Sequence, residues 1–364
     1  FSAPPRASYP DWLSLTGEGY VAEVYKKYGA IISPMGCRAF LSPWFERGGM
    51  EPADAEDKPV FVGRFNIGAV SLHLPMIYAK AKQESRPFFE VLDYYLELIR
   101  QLHIRTYAYL GEMRASTNPL AYCEGGFYGG HLKFHEKIKP LLKTATASFG
   151  ITALNELQEL HNGKSLVEDG QFAIDTLQHI NDKIAEYKKA DGNLYAIYGT
   201  PAESLCATQA KQYAAFCRAR ATENVFEHVE HYSPEYFTNS FHVNVTEEIT
   251  PFEKQDHEFR DFHLCEGGHI QYVRLDNPEN FDAVKAIIRR GMKMGFYQGV
   301  NFDSAYCNHC GKHSTNVLFT CPECGSNDLS VISRVCGYLG YSNVNGISRM
   351  NDGKMSEIVN RVSM

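Results

Sequence analysis

Two CxxC knuckles and two short glycine-bearing loops hold the residues whose types and spacing can do chemistry. Cys307-Asn-His-Cys310-Gly and Cys321-Pro-Glu-Cys324-Gly are separated by ten residues. Each knuckle can turn two thiolates toward one point, and the following glycine permits the tight backbone. Four thiolates complete a tetrahedral zinc shell with no open position, which makes the zinc structural, not catalytic. His309 and His313 could replace a ligand, but the four-cysteine set is complete without them; a rubredoxin-like iron site is the minor alternative. The chain has ten cysteines, unevenly spread. Clustered pairs in a chain whose start, FSAPPRASYPDW, carries no export signal argue for metal or redox chemistry under reducing conditions. The two loops are Ser33-Pro34-Met35-Gly36-Cys37-Arg38 and Arg334-Val335-Cys336-Gly337-Tyr338-Leu339-Gly340. Taken alone, Gly337 reads as a turn glycine and Cys37 as a small buried hydrophobe.

These residues need elements to position them. Period-3.6 apolar spacing predicts a helix from about Pro87 to Ile104 with Phe88, Val91, Leu92, Tyr95, Leu96, Ile99 and Leu102 on one face. Similar stripes run through Ile151, Leu154, Leu157 and Leu160 to Gly163, and through Leu177, Ile180, Ile184 and Tyr187 to Gly192. A fourth helix is expected from Pro278 to Gly295 with Asn277 as its cap. Strands are expected at Val60 to Phe65, Ala69 to Leu74, Leu194 to Tyr198, Phe241 to Val245 and Ile270 to Leu275. Alternating strands and helices predict an α/β core, a layered sheet or barrel. The stretch Glu46 to Asp57 reads as an exposed loop. The texture changes near Val300, which divides the chain into an α/β body at 1–300, a four-cysteine ribbon at 301–330 and a loop and tail at 331–364.

The 364 residues, 44% apolar and 22% charged, suffice for a sizeable core. With 36 basic against 43 acidic side chains, the net charge is −7. That balance, with no local basic patch, excludes direct nucleic-acid binding driven by charge. No run approaches the roughly 18 apolar residues of a membrane helix, and a cytoplasmic location is expected.

The combination of ribbon, RVCGYLG and an early cysteine loop resembles anaerobic (class III) ribonucleoside-triphosphate reductases. Further stretches carry the resemblance: Gly63-Arg64-Phe65-Asn66-Ile67-Gly68 with Leu74-Pro75, Asn118-Pro119-Leu120 with Cys123-Glu124-Gly125-Gly126-Phe127-Tyr128-Gly129-Gly130, Tyr198-Gly199-Thr200-Pro201-Ala202-Glu203-Ser204, and Ile249-Thr250-Pro251-Phe252-Glu253-Lys254-Gln255. The resemblance implies the second half of a ten-stranded α/β barrel with a central finger loop, followed by a zinc ribbon and a glycyl-radical loop. It makes Gly337 the radical glycine, whose Cα radical is shared between the adjacent amide nitrogen and carbonyl and whose missing Cβ lets the centre flatten. It makes Cys37 the transient thiyl that abstracts the ribose 3′ hydrogen before the 2′ hydroxyl leaves as water. Creation of the radical then requires a separate iron–sulfur activating enzyme that cleaves S-adenosylmethionine. A homodimer is implied, and the reductant is formate or a thioredoxin-type thiol.

Within that frame, the strand, tight turn and helix start through Thr200, Pro201, Ala202, Glu203 and Ser204 offer free N–H groups and the positive helix end to the nucleotide's phosphates. The plainer reading is an ordinary capped helix with Glu203 at its start. Asn66 could hydrogen-bond a ribose hydroxyl or stabilise its own turn. Cys123 and Cys206 read as packing thiols, Cys336 has no catalytic role, and His131, His135, His161, His228, His231, His242, His257 and His263 lack a ligand spacing.

The family's chains are longer than this one, which implies a fragment or one piece of a split enzyme that is inactive, or nearly so, without its missing N-terminal half. Two readings compete: another glycyl-radical enzyme of the pyruvate formate-lyase kind, and a non-enzymatic zinc-ribbon interaction protein. The first typically lacks the ribbon and often has an adjacent cysteine pair absent here; the second would tolerate Gly337→Ala.

Overall fold

The computed structural model describes residues 20–30, 38–39, 41–45, 52–219, 235–275, 279–335 and 338–362. After helix α1 (Tyr20–Tyr28) comes β1 (Phe65–Ser71), followed by α2 (Leu74–Glu84) and α3 (Phe88–Gly111). Strand β2 (Ala145–Ile151), α4 (Leu154–Asn162), α5 (Gln171–Asp191), β3 (Leu194–Gly199) and α6 (Leu205–Ala219) follow. Beyond them lie α7 (Pro251–His263), β4 (Gln271–Arg274), α8 (Phe281–Lys293) and β5 (Gln298–Asn301).

Strands β1, β2 and β3 form a parallel sheet in that order, with Phe65 opposite Ala145 and Thr146 opposite Leu194. Strands β4 and β5 form a second parallel pair. Backbone bonds from Gly267 to the carbonyl of Ile197 and from Gly199 to that of Gly268 join the edge of β3 to the chain just before β4.

Strand β2 is buried along its whole length, and its alternation explains how the wall is built. Ala145, Ala147, Phe149 and Ile151 face the main core with Leu92, Leu96, Leu177 and Ile180 of α3 and α5. Thr146, Ser148 and Gly150 alternate onto the other face, where they meet polar side chains. Helix ends are set locally. A capping box between Thr250 and Glu253 starts α7, and Gly192 in the left-handed region at φ 69° ends α5.

The C-terminal strands form one four-stranded antiparallel sheet in the order β7-β6-β8-β9: β6 (Ser304–Cys307), β7 (His313–Thr315), β8 (Leu329–Val335) and β9 (Tyr338–Val344). The knuckles and the hairpin flanking residues 336–337 thus share a sheet, whereas the sequence suggested separate segments at 301–330 and 331–364. Helix α9 (Asp352–Asn360), capped by Asn351, packs back onto α6.

Several expected elements differ. Phe241 to Val245 is not a strand: the backbone N–H of His242 turns back to Asn239, and that of Val243 is taken by the Glu258 carboxylate in place of a neighbouring strand. Val60 to Phe65 and Ala69 to Leu74 resolve into the single strand β1, because Gly63 is engaged by Tyr128 instead of a strand partner. Ile151 closes β2 and does not open α4. Leu102 is exposed; His103 and Tyr107 are buried instead, because α3 runs on to Gly111 and its buried face drifts around the helix. Asn277 and Pro278 lie outside the described residues, and α8 is capped by Asn280. Of the expected exposed loop, Asp57 is buried, its carboxylate accepting from the Ala53 N–H.

Candidate active site and metal centre

The polar face of the β1–β3 sheet is the floor of the site. Arg64 donates to Thr146 Oγ1 at 3.0 Å, and Asn66 donates to Ser148 Oγ. At the carboxyl ends of the strands, Ser71 Oγ and Thr200 Oγ1 pair at 2.8 Å. A side chain at Gly150 would collide with both hydroxyls, so this close approach needs glycine. Asn66 Oδ1 also accepts from the N–H of Gly68 at 2.7 Å. Its amide is therefore engaged with Ser148 and, where the register of β1 shifts between Asn66 and Gly68, with its own backbone.

The turn after β3 runs from Thr200 to Ser204 into α6. Ala202 and Glu203 have positive φ (56° and 22°), which folds the chain sharply before the helix. Ala202 is buried, whereas Glu203 and Ser204 are exposed. The Ser204 carbonyl accepts from both the N–H and the hydroxyl of Thr208. Of the N–H groups here, those of Thr200, Glu203, Leu205 and Cys206 are taken by carbonyls of Ile151, Pro201 and Ala202, and Pro201 has none, so only those of Ala202 and Ser204, with the nearby hydroxyls, are left to meet an anion.

Two chain segments converge on this turn. Arg38, fully buried, extends Nη1 to the carbonyl oxygens of Gly199 and Thr200, both at 3.0 Å, and to Asn239 Oδ1 at 2.8 Å. Asn239 Nδ2 in turn donates to the Pro201 carbonyl at 2.6 Å. From the opposite end of the sequence, Val335 packs with Ala202, Cys206, Tyr236, Met350 and Ile358. Arg334 and Arg38 both place their guanidinium groups over the ring of Tyr272, at 5.0 and 5.4 Å from its centroid.

The root of the β8–β9 hairpin is fastened from below. Arg361, just past α9, donates Nη1 to the Arg334 carbonyl at 2.7 Å and Nη2 to Asp303 Oδ1 at 2.6 Å. Arg274 of β4 donates to the other Asp303 oxygen at 2.9 Å. Burial pushes the Asp303 carboxyl up, but Arg361 and Arg274 outweigh it and hold it below the usual carboxylate range. The antiparallel sheet is thereby docked onto β4 through a buried carboxylate shared by two guanidinium groups.

A cavity beside this root is lined in part by His242, Lys254, Tyr272, Arg334 and Arg361. Burial draws His242 down to about 4, so its imidazole is neutral at neutral pH. Burial also works against the Glu258 carboxylate, yet the ammonium of Lys254 keeps it ionised, at about 2. With the imidazole neutral, Lys254 carries that pairing.

The four cysteines of the knuckles form a cluster in which all ligand atoms lie within 4.8 Å of one another. Cys307 Sγ and Cys324 Sγ are 3.6 Å apart, and Cys310 Sγ and Cys321 Sγ 3.7 Å. A tetrahedron with Zn–S bonds of ~2.3 Å has edges of ~3.8 Å, so the donor set fits zinc. Gly311 and Gly325 follow their knuckles at φ 74° and 71°, and their N–H groups return to the carbonyls of Cys307 and Cys321 at 2.9 and 3.0 Å. Among the described residues this is the only such group of ligands.

Cys37, Cys336 and Gly337 lie outside the described residues, as do His228 and His231; the neighbours Arg38, Val335 and Tyr338 are described. Cys206 and Cys123 sit in packing positions, the first buried and the second half-buried. The spacing of motifs did not single out Tyr272, Asn239, Asp303 or Arg361. Their only sequence signal is polar or aromatic character inside otherwise apolar or terminal segments, which is too common to select them.

The protein-family model for anaerobic ribonucleoside-triphosphate reductase matches residues 6–364. The anaerobic ribonucleoside-triphosphate reductase of Salmonella typhimurium is 31% identical, over 97% of this chain and 48% of its own length. The enzyme of the same name from phage T4 is 32% identical, over 91% of this chain and 53% of its own. The chain thus spans about half the length of the curated relatives it matches. Among solved structures, an anaerobic ribonucleotide reductase superposes with a TM-score of 0.56 at 19% identity, covering 81% of this chain and 44% of that one. The Thermotoga maritima enzyme with dATP bound in the specificity site gives 0.51 at 20% identity, over 77% and 46%. These structures carry the same α/β fold.

Proposed function

Because the chain belongs to the anaerobic ribonucleoside-triphosphate reductase family, we propose that it forms the catalytic part of an enzyme that reduces ribonucleoside triphosphates to deoxyribonucleoside triphosphates by a radical route. The observation that carries this reading is the meeting of three segments distant in sequence. Arg38 beside Cys37, Arg334 before Gly337 and the turn at Thr200 to Ser204 all converge around Tyr272 and Asn239.

The five parallel strands, three plus two, fit one half of a ten-stranded barrel, with the finger loop inside it and the ribbon and radical loop at 301–330 and 331–364 outside it. A partner iron–sulfur enzyme that cleaves S-adenosylmethionine takes a hydrogen atom from Gly337. The glycyl radical then takes the hydrogen of the Cys37 thiol, breaking S–H and forming C–H. The thiyl at Cys37 removes the ribose 3′ hydrogen, the 2′ hydroxyl takes up a proton and leaves as water, formate or a thioredoxin-type thiol supplies the electron pair, and the Cys37 thiol returns its hydrogen to C3′, which restores the thiyl. The turn from Thr200 to Ser204 holds the phosphates through the N–H groups of Ala202 and Ser204 and the hydroxyls of Thr200 and Ser204, the N–H groups of Thr200 and Glu203 being taken within the protein. Asn66 would have to release the Gly68 N–H to meet a ribose hydroxyl. Bound at Cys307, Cys310, Cys321 and Cys324, zinc supplies a rigid cross-link and no reaction chemistry. The ribbon shares a sheet with the hairpin flanking Gly337, which gives that cross-link a route to the loop.

The test is anaerobic electron paramagnetic resonance after incubation with the activating enzyme and S-adenosylmethionine. A doublet absent from Gly337→Ala and collapsing in D2O supports the reading; a signal that survives Gly337→Ala sinks it.

A further inference from the structure

Hydrogen-atom transfer between a thiol and a backbone carbon demands near-contact, yet the finger loop and the radical loop stand some three hundred residues apart in sequence. Their roots must be kept in register by something neither loop contains. We infer that Tyr272 is that positioning residue: its one aromatic ring receives the guanidinium beside Cys37 and the guanidinium three residues before Gly337. The functional half of this inference rests on the radical roles given above to Cys37 and Gly337.

The geometry leaves the buried cation of Arg38 reliant on the ring and sets the half-buried cation of Arg334 on the same ring. Arg38 is fully buried, and its Nη1 is taken by the Gly199 and Thr200 carbonyls and Asn239. Its Nε and Nη2 are buried and have no hydrogen-bond partner among the described residues, nor has the Nε of Arg334. No carboxylate among the described residues pairs with either guanidinium. A buried cation without a counter-charge is costly, and for Arg38 the negative face of an aromatic ring is the compensation, 5.4 Å from its centroid; the half-buried Arg334 shares that ring at 5.0 Å. Remove the ring and two like charges lose their common partner.

Tyr272 is itself held firmly. It lies within β4, opposite Gly299 of β5, and a Cβ on Gly299 would stand 2.8 Å from the ring, so glycine there makes its room. His242 packs against it with ring centroids 5.5 Å apart. The buried hydroxyl makes no hydrogen bond among the described residues, so the ring makes the contacts and phenylalanine should serve. Neighbouring Arg274 fixes Asp303, which with Arg361 holds the carbonyl of Arg334. One strand thereby grips the radical-loop root by both side chain and backbone.

Trypsin reads the tie directly, because it cuts after arginine only when the local backbone opens. In limited proteolysis of the intact chain, Tyr272→Leu should speed cleavage after both Arg38 and Arg334 at least fivefold, leave sites such as Lys293 unchanged, and be rescued to within twofold by Tyr272→Phe. Protection at both sites in the leucine variant, loosening at only one, or uniform acceleration along the chain overturns the inference. In the activated enzyme, Tyr272→Leu should keep the glycyl-radical yield within twofold. Its turnover per radical should fall at least tenfold at unchanged KM, again with rescue by phenylalanine; wild-type turnover per radical in the leucine variant overturns the functional half. Absence of any radical in wild-type protein would count against the assigned chemistry, while the tryptic pattern still decides whether Tyr272 ties the two roots.

Discussion

Arg38 Nη1 lies 3.0 Å from the carbonyl oxygen of Gly199, a residue 161 positions further along the chain. That bond, with its companion to Thr200, fastens the flank of the Cys37 loop to the turn expected to bind phosphates. An acceptor and its charged donor are buried together, and removing the donor strands two carbonyls.

Arg38→Met should lower stability by about 2–4 kcal/mol, read from the denaturant midpoint at unchanged slope, since bonds to charged donors contribute about 1.5–3 kcal/mol and the abandoned acceptors add their desolvation cost. Arg38→Lys should recover little, because an ammonium cannot reach the carbonyls and the Tyr272 ring as a planar fork does. A loss below about 0.5 kcal/mol in either variant would mean the bond adds nothing net.

The hydroxyl pair of Ser71 and Thr200 gives a test of the turn itself. Gly150→Ala places a methyl against both oxygens and should cost about 1–3 kcal/mol by overpacking. Nucleotide affinity should fall with it, measured by equilibrium binding. Adding Ser71→Ala should return part of the stability through coupling between touching sites. Strict additivity would show that the turn moves freely away from β2.

Chelating the metal, or Cys321→Ser, should release zinc and abolish radical formation at Gly337 while the main unfolding transition of the α/β body persists in calorimetry. The reason is topological: β6 and β8 carry the knuckles and the hairpin in one sheet, and Asp303 docks that sheet onto β4. A normal radical yield in zinc-free protein would separate the ribbon from activation.

Asp261 gives a pH dependence of defined sign. Burial raises its carboxyl to about 8, against an ordinary value of 3.8 in the unfolded chain. Between those values the folded state holds a proton that the unfolded state has released, so stability is highest on the acid side and falls as pH rises toward 8, by up to about 1.4 kcal/mol per unit. Glu159, also raised to about 8 by burial and by Glu156, works in the same direction. Asp261→Asn should flatten part of the slope in denaturation series from pH 5 to 8. An unchanged slope would place Asp261 in water.

Local chemistry is legible in the sequence because it depends on neighbours a few residues away. The CxxC spacing and its glycines set the cysteine cluster, and Gly163 and Gly192 end their helices where periodicity stops. Phe241 to Val245 looked like a strand and is not, because the Glu258 carboxylate fifteen residues away takes the backbone bond a strand would need. Leu102 looked buried because a straight 3.6-residue stripe was extrapolated too far along a helix that continues to Gly111.

By itself, then, the sequence determined which residues could hold a metal and that strands alternate with helices, since these follow from residue type and short spacing; the radical roles of Gly337 and Cys37 are what the resemblance of the surrounding motifs implies. Only the tertiary structure decided what stands beside them. Tyr272 between two arginines nearly three hundred residues apart, Asp303 shared by Arg274 and Arg361, and Arg38 on the carbonyls of Gly199 and Thr200 are contacts between distant segments. No periodicity records such pairs, because burial makes them when the sheets close and leaves each residue an ordinary one in its own stretch of chain.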